Sequence, residues 1–199
     1  MPRVTALRPA RPGHVLVELD GERWRTVPAE VAARSRLSVG LELDRDRLRT
    51  LRGELRRSQA LAVGARALAR RDRSERSLRD VLERKGVGGL EREQVVAALQ
   101  RHGALDDERF ACSRAAALAD RGLGDAGIDF RLERDGIGPE GRASALAGLE
   151  AERDRAVRFA ARRGATARTA RWLAGRGFAA ESIEAAVAAV AKDEQLELG

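Results

Sequence analysis

Residues 128–137 read Ile-Asp-Phe-Arg-Leu-Glu-Arg-Asp-Gly-Ile, and this segment carries the pattern on which the fold depends. Two apolar residues stand four positions apart, a glycine follows four positions later, and another apolar residue comes directly after the glycine. The apolar pair lies on one face of a helix, and glycine readily takes the left-handed conformation that ends many helices. The segment therefore predicts a helix that ends near Gly136, with Ile137 folded back over its last turn.

The same pattern occurs at two other places, which indicates an internal repeat. One copy consists of Leu78, Leu82, Gly86 and Val87, and a shorter copy consists of Leu173, Gly177 and Phe178. Amphipathic helical patterns flank the three copies, at residues 55–70, 91–102, 107–121, 139–149, 151–163 and 180–191. Helical repeats of this kind pack mainly on their neighbours along the chain. The sequence therefore predicts an all-α fold of three tandem three-helix repeats in an elongated curved array.

The beginning of the chain has a different pattern. Apolar residues stand two positions apart from Val15 to Leu19, and the Asp20-Gly21 pair that follows is a turn signal typical of hairpins. Pro28 suits the first turn of a short helix. We therefore expect a small β-hairpin and helix before the repeats. The predicted parts are an N-terminal extension at 1–54, repeats at 55–104, 105–150 and 151–192, and an acidic tail at 193–199.

The composition limits the class of protein. Of the 199 residues, 43% are hydrophobic but only 3% are aromatic, so Ala, Leu and Val must build the core, which suits close helix packing. No apolar stretch approaches the roughly 18 residues of a membrane span, and the N-terminus lacks the apolar core of a signal peptide. We therefore expect a cytoplasmic protein. The single cysteine, Cys112, cannot form an intrachain disulfide, and we expect it to be a small buried side chain.

The net charge of +7 is unevenly distributed. Residues 45–85 carry a net charge of +8, residues 86–151 of −4, and residues 152–176 of +6. Basic zones of this size favour a polyanionic or acidic partner. The alternative is that these arginines are merely solvated, or paired with acids on their own helices.

The candidate contact residues are basic side chains of the first and third repeats. They are Arg70, Arg71, Arg73, Arg76, Arg79, Lys85, Arg158, Arg162, Arg163, Arg168 and Arg171. Arg158 and Arg162 are the preferred pair, because they stand four positions apart on one helix face with no acidic partner there and so repel each other. Trp172 could stack on a base, but we expect it to pack in the core, and we expect Trp24 to pack on the adjoining helix.

The most specific local signal opens the second repeat and reads Leu105-Asp106-Asp107-Glu108-Arg109-Phe110-Ala111. Asp106 suits an N-cap, and the next two acids fall in the first helical turn, near the positive end of the helix dipole. Leu105 and Phe110 have the spacing of a hydrophobic staple. Successive acids on a helix point in different directions, so we predict no metal site, and the sequence indicates no cofactor and no catalytic residue. The role of this motif is mainly structural.

This motif resembles the hallmark of the RecX family, in which it opens the middle repeat. The three repeat segments, at residues 77–86, 122–137 and 176–178, are also similar to those of the family. The resemblance extends to the hairpin at residues 17–21 and covers essentially the whole chain. The family usually has other residues at Ala104, Arg131 and Asp135, so these positions bear on partner affinity more than on the fold.

The resemblance implies a regulatory protein that lies along the groove of the RecA filament on single-stranded DNA. It implies inhibition of the recombinase, ATPase and co-protease activities of RecA, and thereby a role in recombination, DNA repair and the SOS response. The protein is expected to be a monomer without enzymatic activity, to bind DNA weakly in its own right, and to have no membrane partner.

Two other functions stay open from the residues alone. A helix-turn-helix transcription factor would also be basic and helical, but the helices predicted at 91–102 and 180–191 carry glutamate at their starts, which repels phosphate. A non-enzymatic scaffold would leave recombinase activity unchanged. An enzyme is not favoured, because His14 and His102 are the only histidines and no P-loop or nucleophile motif occurs.

Overall fold

The computed structural model describes residues 1–197, and the side chains of residues 1–192. Within this range the chain forms three strands and ten helices. The strands are β1 (Val4–Pro9), β2 (His14–Leu19) and β3 (Glu22–Pro28). The helices are α1 (Ala29–Arg34), α2 (Arg45–Arg70), α3 (Glu75–Arg84), α4 (Gly89–Arg101), α5 (Asp107–Asp120), α6 (Asp125–Arg134), α7 (Pro139–Ala147), α8 (Glu152–Ala161), α9 (Ala167–Ala174) and α10 (Ala180–Glu197). The predicted helical repeat fold with a small β extension is confirmed.

The chain divides into two compact units. Unit 1 consists of residues 1–71 and 79–102, and unit 2 consists of residues 72–78 and the chain from Gly103 onward. The side chains of the predicted acidic tail, and residues 198 and 199 altogether, lie outside the described residues. None of the helices in the described chain is long and apolar enough to cross a membrane.

Unit 1 begins with a three-stranded antiparallel sheet in the order β1-β2-β3. Asp20 and Gly21 form the turn between β2 and β3 with φ angles of 51° and 89°, the left-handed values of a tight hairpin turn. Val4, Val17 and Val27 are fully buried and pack with apolar residues of α1 and α2. The predicted hairpin is therefore confirmed, and β1 adds a third strand to it.

The first helix of the first repeat, α2, is continuous over 26 residues and passes through the predicted boundary between the extension and the repeat. Asp44 caps it by accepting the backbone N–H of Arg47 at 2.7 Å. Leu51 packs in the core under the sheet. Further along, Gly64 lies against α4, where an added Cβ would be 3.0 Å from Leu99. One helix therefore joins two parts of the core of unit 1.

The three repeat segments end as the sequence predicts. The glycine after each helix has a left-handed φ, +74° at Gly86, +90° at Gly136 and +82° at Gly177. In each case the residue after the glycine donates its N–H to the carbonyl of the leucine five positions earlier, which satisfies an acceptor at the helix end. These pairs are Val87 and Leu82 (3.0 Å), Ile137 and Leu132 (3.0 Å), and Phe178 and Leu173 (3.3 Å). All six side chains of these pairs are buried or half-buried.

In unit 2 the start of α6 meets the end of α9. The N–H of Gly124 donates to the carbonyl of Arg176 at 3.0 Å, and the N–H of Ala126 donates to the carbonyl of Gly177 at 3.2 Å. The positive end of one helix dipole thus meets the negative end of another, and backbone groups that helix ends leave unsatisfied are paired. An added Cβ on Gly124 would overlap the carbonyl of Gly177, so only glycine permits this approach.

A second junction of the same kind joins the start of α3 to the end of α6, also within unit 2. The Ser74 hydroxyl donates to the carbonyl of Asp135. The aliphatic stem of Arg76 lies against Gly136, where an added Cβ would be 2.6 Å from the Arg76 Cβ. The residues that begin α3 therefore contact the residues that follow α6 directly.

The acidic motif of the second repeat serves these helix ends. Asp106 caps its own helix by accepting the N–H of Arg109 at 2.9 Å, as predicted. Asp107 accepts the N–H of Glu75 at 2.7 Å and so caps α3 as well. Leu105 is buried, with 3% of its surface exposed. Two acids of the motif therefore cap helix ends, and one of them caps a helix other than its own.

The corresponding place in the third repeat holds a buried ion pair. Arg155 is 1% exposed, and its guanidinium donates to the carbonyls of Leu123 (2.9 Å) and Glu150 (3.0 Å) and pairs with the carboxylate of Asp125. Glu152, the first residue of α8, accepts the N–H of Asp125 at 2.7 Å. These two side chains fix the start of α6, and a buried arginine is stable here because each of its three side-chain nitrogens donates to a partner.

The expectation that Cys112 is buried is wrong, because its side chain is exposed. Ala111 and Ala115 are fully buried and define the inner face of α5. One further residue turns the helix by about 100°, which places Cys112 outside that face.

Trp24 has 36% of its surface exposed on β3, with the Arg25 guanidinium 5.9 Å from the ring centroid.

The junction between α6 and α9 gives a direct stability test. Gly124 has φ −79° and ψ 171°, which alanine can adopt, so the effect of Gly124→Ala comes from the overlap of its Cβ with the backbone of Gly177 and Phe178. We expect a loss of about 2–4 kcal/mol, because the backbones must separate. Gly138→Ala is the matched control, since Gly138 precedes α7 in the same way with open space around it, and its effect should stay within about 0.5 kcal/mol.

Urea unfolding, followed by the fluorescence of Trp172 in a Trp24→Phe background, measures the stability of unit 2 for both variants. Equal stability of Gly124→Ala and Gly138→Ala would contradict the close backbone contact.

Candidate functional site

In unit 2 the predicted basic residues collect around the turn from α8 to α9. Arg162 caps the C-terminus of α8, and Arg168 and Arg171 stand three positions apart on α9. All three are exposed, and none forms an ion pair with the residues that the structure describes. Exposed arginines without an ion pair can bind an anionic partner.

Arg163 and Arg168 also line a groove of about 320 Å³ together with Thr166, Thr169 and Trp172. Thr166 caps α9 by accepting the N–H of Thr169 at 3.2 Å. The charged residues of the groove are both arginines, and the first turn of α9 contains no acid. The electrostatic environment of the groove is therefore positive.

Trp172 beside this groove is half-buried and packs in the core of the third repeat. The Arg163 and Arg176 guanidinium carbons lie 3.8 Å and 4.3 Å from its ring centroid, and the Phe159 ring centroid is 5.9 Å away. An added Cβ on Gly122 would be 2.9 Å from the indole. Trp172 thus has the packing role expected from sequence, and it also orients two arginines through cation–π contacts.

Of the preferred pair, Arg158 and Arg162, only Arg162 has no ion pair with the described residues. Arg158 forms an ion pair with Glu150 at 2.7 Å, so the expectation that it has no acidic partner is wrong. Glu150 lies before α8, and spacing along the helix could not indicate it. Arg162 keeps an exposed and uncompensated charge.

In unit 1, Arg79 forms a two-pronged ion pair with Glu93, at 2.9 Å and 3.1 Å. The hydrogen bond from Arg79 holds the pKa of the Glu93 carboxyl below its ordinary value, so both groups stay charged at neutral pH. The charge of Arg79 is therefore neutralised within the fold. Arg70 and Arg71, at the end of α2, are exposed. Lys85 lines an open cavity of about 390 Å³ between α2 and the start of α4.

Arg73 and Arg76 contribute to local structure. Both belong to unit 2: Arg73 lies just before α3, and Arg76 lies in its first turn. Arg73 is half-buried and donates to the Ser77 hydroxyl at 3.3 Å, and the stem of Arg76 packs on Gly136. The eleven predicted contact residues are thus divided between the two units and do not form a single cluster within either one.

The structure also shows a basic stripe that was not among the predicted contact residues. It lies on α2 and consists of Arg45, Arg49, Arg52 and Arg56, all of them exposed. Their spacings of four, three and four residues place them on one helix face, and these spacings are the signal that could have identified the stripe.

A second feature missed from sequence is Phe130 on α6, with 54% of its surface exposed. The Arg134 guanidinium lies 5.9 Å from its ring centroid, and Phe130 lines a groove with Arg131 and Arg176. The repeat pattern concerns the buried positions of α6 and gives no information on this outer face.

Among the described side chains, no three histidine, cysteine, aspartate or glutamate residues lie close enough to hold a metal ion. The Nδ1 atom of His14 is 3.1 Å from the carbonyl of Pro12, and His102 lies exposed at the end of α4. Two of the three acids of the motif at residues 105–111, Asp106 and Asp107, are engaged in capping. The arrangement is suited to binding through exposed charge.

The chain is similar to known proteins in both sequence and fold. No profile of a known protein family matches the chain. Regulatory protein RecX of Halorhodospira halophila (strain DSM 244 / SL1) is 34% identical over 143 residues, which cover 65% of this chain and 87% of the relative. A crystal structure of regulatory protein RecX superposes with a TM-score of 0.80 at 20% identity, covering 94% of this chain and 98% of that one. A crystal structure of RecX from Lactobacillus salivarius gives a TM-score of 0.61 at 16% identity, covering 68% and 96%. These solved structures share the fold.

The ion pair between Arg79 and Glu93 predicts a pH dependence. Arg79→Gln should raise the pKa of Glu93 towards its ordinary value, because the hydrogen bond from Arg79 is the main cause of the lowering. A carboxyl whose pKa is lower in the folded state stabilises the fold above its unfolded pKa, and this contribution is lost as the pH falls through the folded pKa. Wild type should therefore exceed Arg79→Gln in stability at pH 7 but not at pH 3.

NMR titration of the Glu93 carboxyl carbon and urea unfolding at the two pH values measure both effects. Arg84→Gln is the control, since Arg84 is exposed on the same helix and has no ion pair in the described chain. An identical Glu93 titration in wild type and Arg79→Gln would contradict the assignment.

Proposed function

The chain belongs to the RecX family of regulatory proteins, and from this premise we propose that it binds the RecA filament on single-stranded DNA and restrains it. Binding would inhibit the recombinase, ATPase and co-protease activities of RecA, and so modulate recombination and the SOS response. The proposal includes a monomeric, cytoplasmic protein that acts by binding, without catalysis of its own.

The observation that carries the proposal is the set of uncompensated arginines at the turn from α8 to α9. Arg162, Arg168 and Arg171 contribute no ion pair to the described fold, so their charge is available to a partner. A filament of protein on single-stranded DNA offers phosphates and acidic side chains, and arginine binds both with paired hydrogen bonds. Binding through exposed charges of this kind weakens as the salt concentration rises.

The helix starts argue against a helix-turn-helix reader of duplex DNA. Such a protein places the start of one helix against base edges in the major groove. Glu91 lies in the first turn of α4, and Glu181 in the first turn of α10. A carboxylate at that position is repelled by the phosphates that flank the groove, so we favour the filament regulator.

The first test is ATP hydrolysis by RecA on single-stranded DNA, with this protein added from sub-stoichiometric to equimolar ratios. We expect turnover to fall as the protein is added, and the effect to weaken at high salt. Because this chain is proposed to act on the ATPase of its partner, hydrolysis should not be detectable without RecA. Unchanged hydrolysis, strand exchange and repressor cleavage would reject the proposal in favour of a scaffold.

A pair of substitutions tests the surface. Arg168→Gln with Arg171→Gln should raise the concentration needed for half-inhibition by about tenfold, because two exposed charge contacts are lost. Arg101→Gln with Arg153→Gln is the control, because it removes the same charge from exposed positions that have no ion pair in the described chain. This pair should change the concentration needed for half-inhibition by less than twofold. The same loss in both pairs would show a general effect of net charge and exclude a specific role for α9.

A further inference from the structure

We propose that the exposed face of α2 in unit 1 is a binding surface for the phosphate backbone of a nucleic-acid strand. The surface is the basic stripe of Arg45, Arg49, Arg52 and Arg56, which line one groove together with Leu48. At 100° per residue, the four arginines fall within about 60° of the helix circumference. All four side chains are exposed, so they form a continuous ridge of positive charge.

The fold neutralises part of the ridge, because two of its four arginines form ion pairs. Arg45 and Arg52 have no ion pair among the described residues. Arg49 pairs with Asp46 at 2.9 Å, but the two side chains are 79% and 85% exposed, and such pairs contribute little. Arg56 pairs with Glu91 at 3.2 Å across to α4.

The remaining acid of this helix is engaged elsewhere. Glu54 accepts a hydrogen bond from Arg34 of α1 at 2.8 Å, on the side of α2 away from the ridge. The ridge therefore keeps a net positive charge, because neither acid of α2 forms an ion pair with Arg45 or Arg52.

Arg45 and Arg52 have no ion pair in the described chain that would stabilise α2. Neighbouring members of the stripe stand three or four residues apart, a spacing at which like charges on a helix repel each other. Arg45 is also the first residue of the helix, where the helix dipole disfavours a cation. An arrangement that opposes helix formation in two ways is accounted for by a polyanionic partner, which relieves both repulsions on binding.

The geometry fits a phosphate backbone better than it fits bases. From Arg45 to Arg56 the helix rises by about 16 Å, a length that extends past several consecutive phosphates of one strand. Apart from the arginines, the described lining of the groove contains only Leu48, so it offers no aromatic ring for base stacking. Contacts to phosphates carry no sequence information, so binding should not depend on base sequence.

This inference deepens the proposed function and rests on it, because the strand meant is the single-stranded DNA of the filament. The test is nevertheless done without RecA, so that the two can fail separately. The probe is a fluorescein-labelled oligo(dT) of 20 nucleotides, and the full chain is titrated into it at several salt concentrations while fluorescence anisotropy is recorded.

Arg45→Gln with Arg52→Gln removes two charges without removing an ion pair. Affinity for the oligonucleotide should fall about 20-fold at 0.1 M salt, and the slope of log K against log salt should become shallower by about 1.4, the value for two phosphate contacts. Arg23→Gln with Arg57→Gln is the matched control, because both residues are exposed in unit 1, off the ridge and without an ion pair in the described chain. It should leave the slope unchanged.

Arg45→Lys with Arg52→Lys keeps both charges and should keep the wild-type slope. Circular dichroism checks that each variant is folded. The inference is overturned if the two glutamine pairs lose the same affinity, if neither loses any, or if the lysine pair loses as much as Arg45→Gln with Arg52→Gln.

Two further outcomes separate the proposals. Reduced ATPase inhibition by Arg45→Gln with Arg52→Gln, at unchanged oligonucleotide affinity, would assign the stripe to an acidic surface of the recombinase and so reject the inference. Wild-type protein that binds the oligonucleotide through the stripe but does not inhibit RecA would support the inference and reject the proposed function.

Discussion

Unit 2 depends on one constraint, the direct approach of backbone to backbone where α6 begins and α9 ends. Gly124 and Gly177 have no side chains, and the space between these two segments admits none. Because the approach pairs the free N–H groups of one helix with the free carbonyls of another, it replaces hydration at two helix ends with protein hydrogen bonds. Arg155 and Glu152 then close around the same helix start from α8, and the buried charge of Arg155 is tolerated because its donors have partners.

The parts of the fold that could be predicted from sequence are those that local chemistry determines. Gly136 follows Leu132 by four residues and takes a left-handed φ, which ends the helix there. This helix end depends on neighbouring residues alone and not on distant parts of the chain. The contact between the start of α6 and the end of α9 could not be predicted, because Gly124 and Gly177 are far apart in sequence. A glycine in a sequence indicates that a side chain is absent but not which segment lies against it. Asp107 shows the same limit, since its place in the first turn explains its charge but not its bond to Glu75.

The candidate site was predictable in outline and not in detail, because net charge is a property of composition whereas free charge depends on three-dimensional pairing. The basic zones do contain exposed arginines without ion pairs, such as Arg162. Within the same zones Glu93 neutralises Arg79, and Glu150 neutralises Arg158, and both acids come from outside the helix of their partner. The stripe on α2 is the opposite case, because its spacing is local and could have been found from sequence.

The sequence signature of the family and its proposed activity therefore lie on different residues. Asp106 and Asp107 accept backbone N–H groups, so the motif that resembles the hallmark of the family contributes to how the helices are joined. Of the arginines proposed to meet the filament, Arg162, Arg168 and Arg171 are exposed and form no ion pair with the described residues. Substitution at Arg168 or Arg171 can consequently change affinity for a partner while the junctions and cores remain intact. The junctions of unit 2 are made by backbone groups and capping side chains at helix ends, so the outward side chains of its helices remain available to a partner.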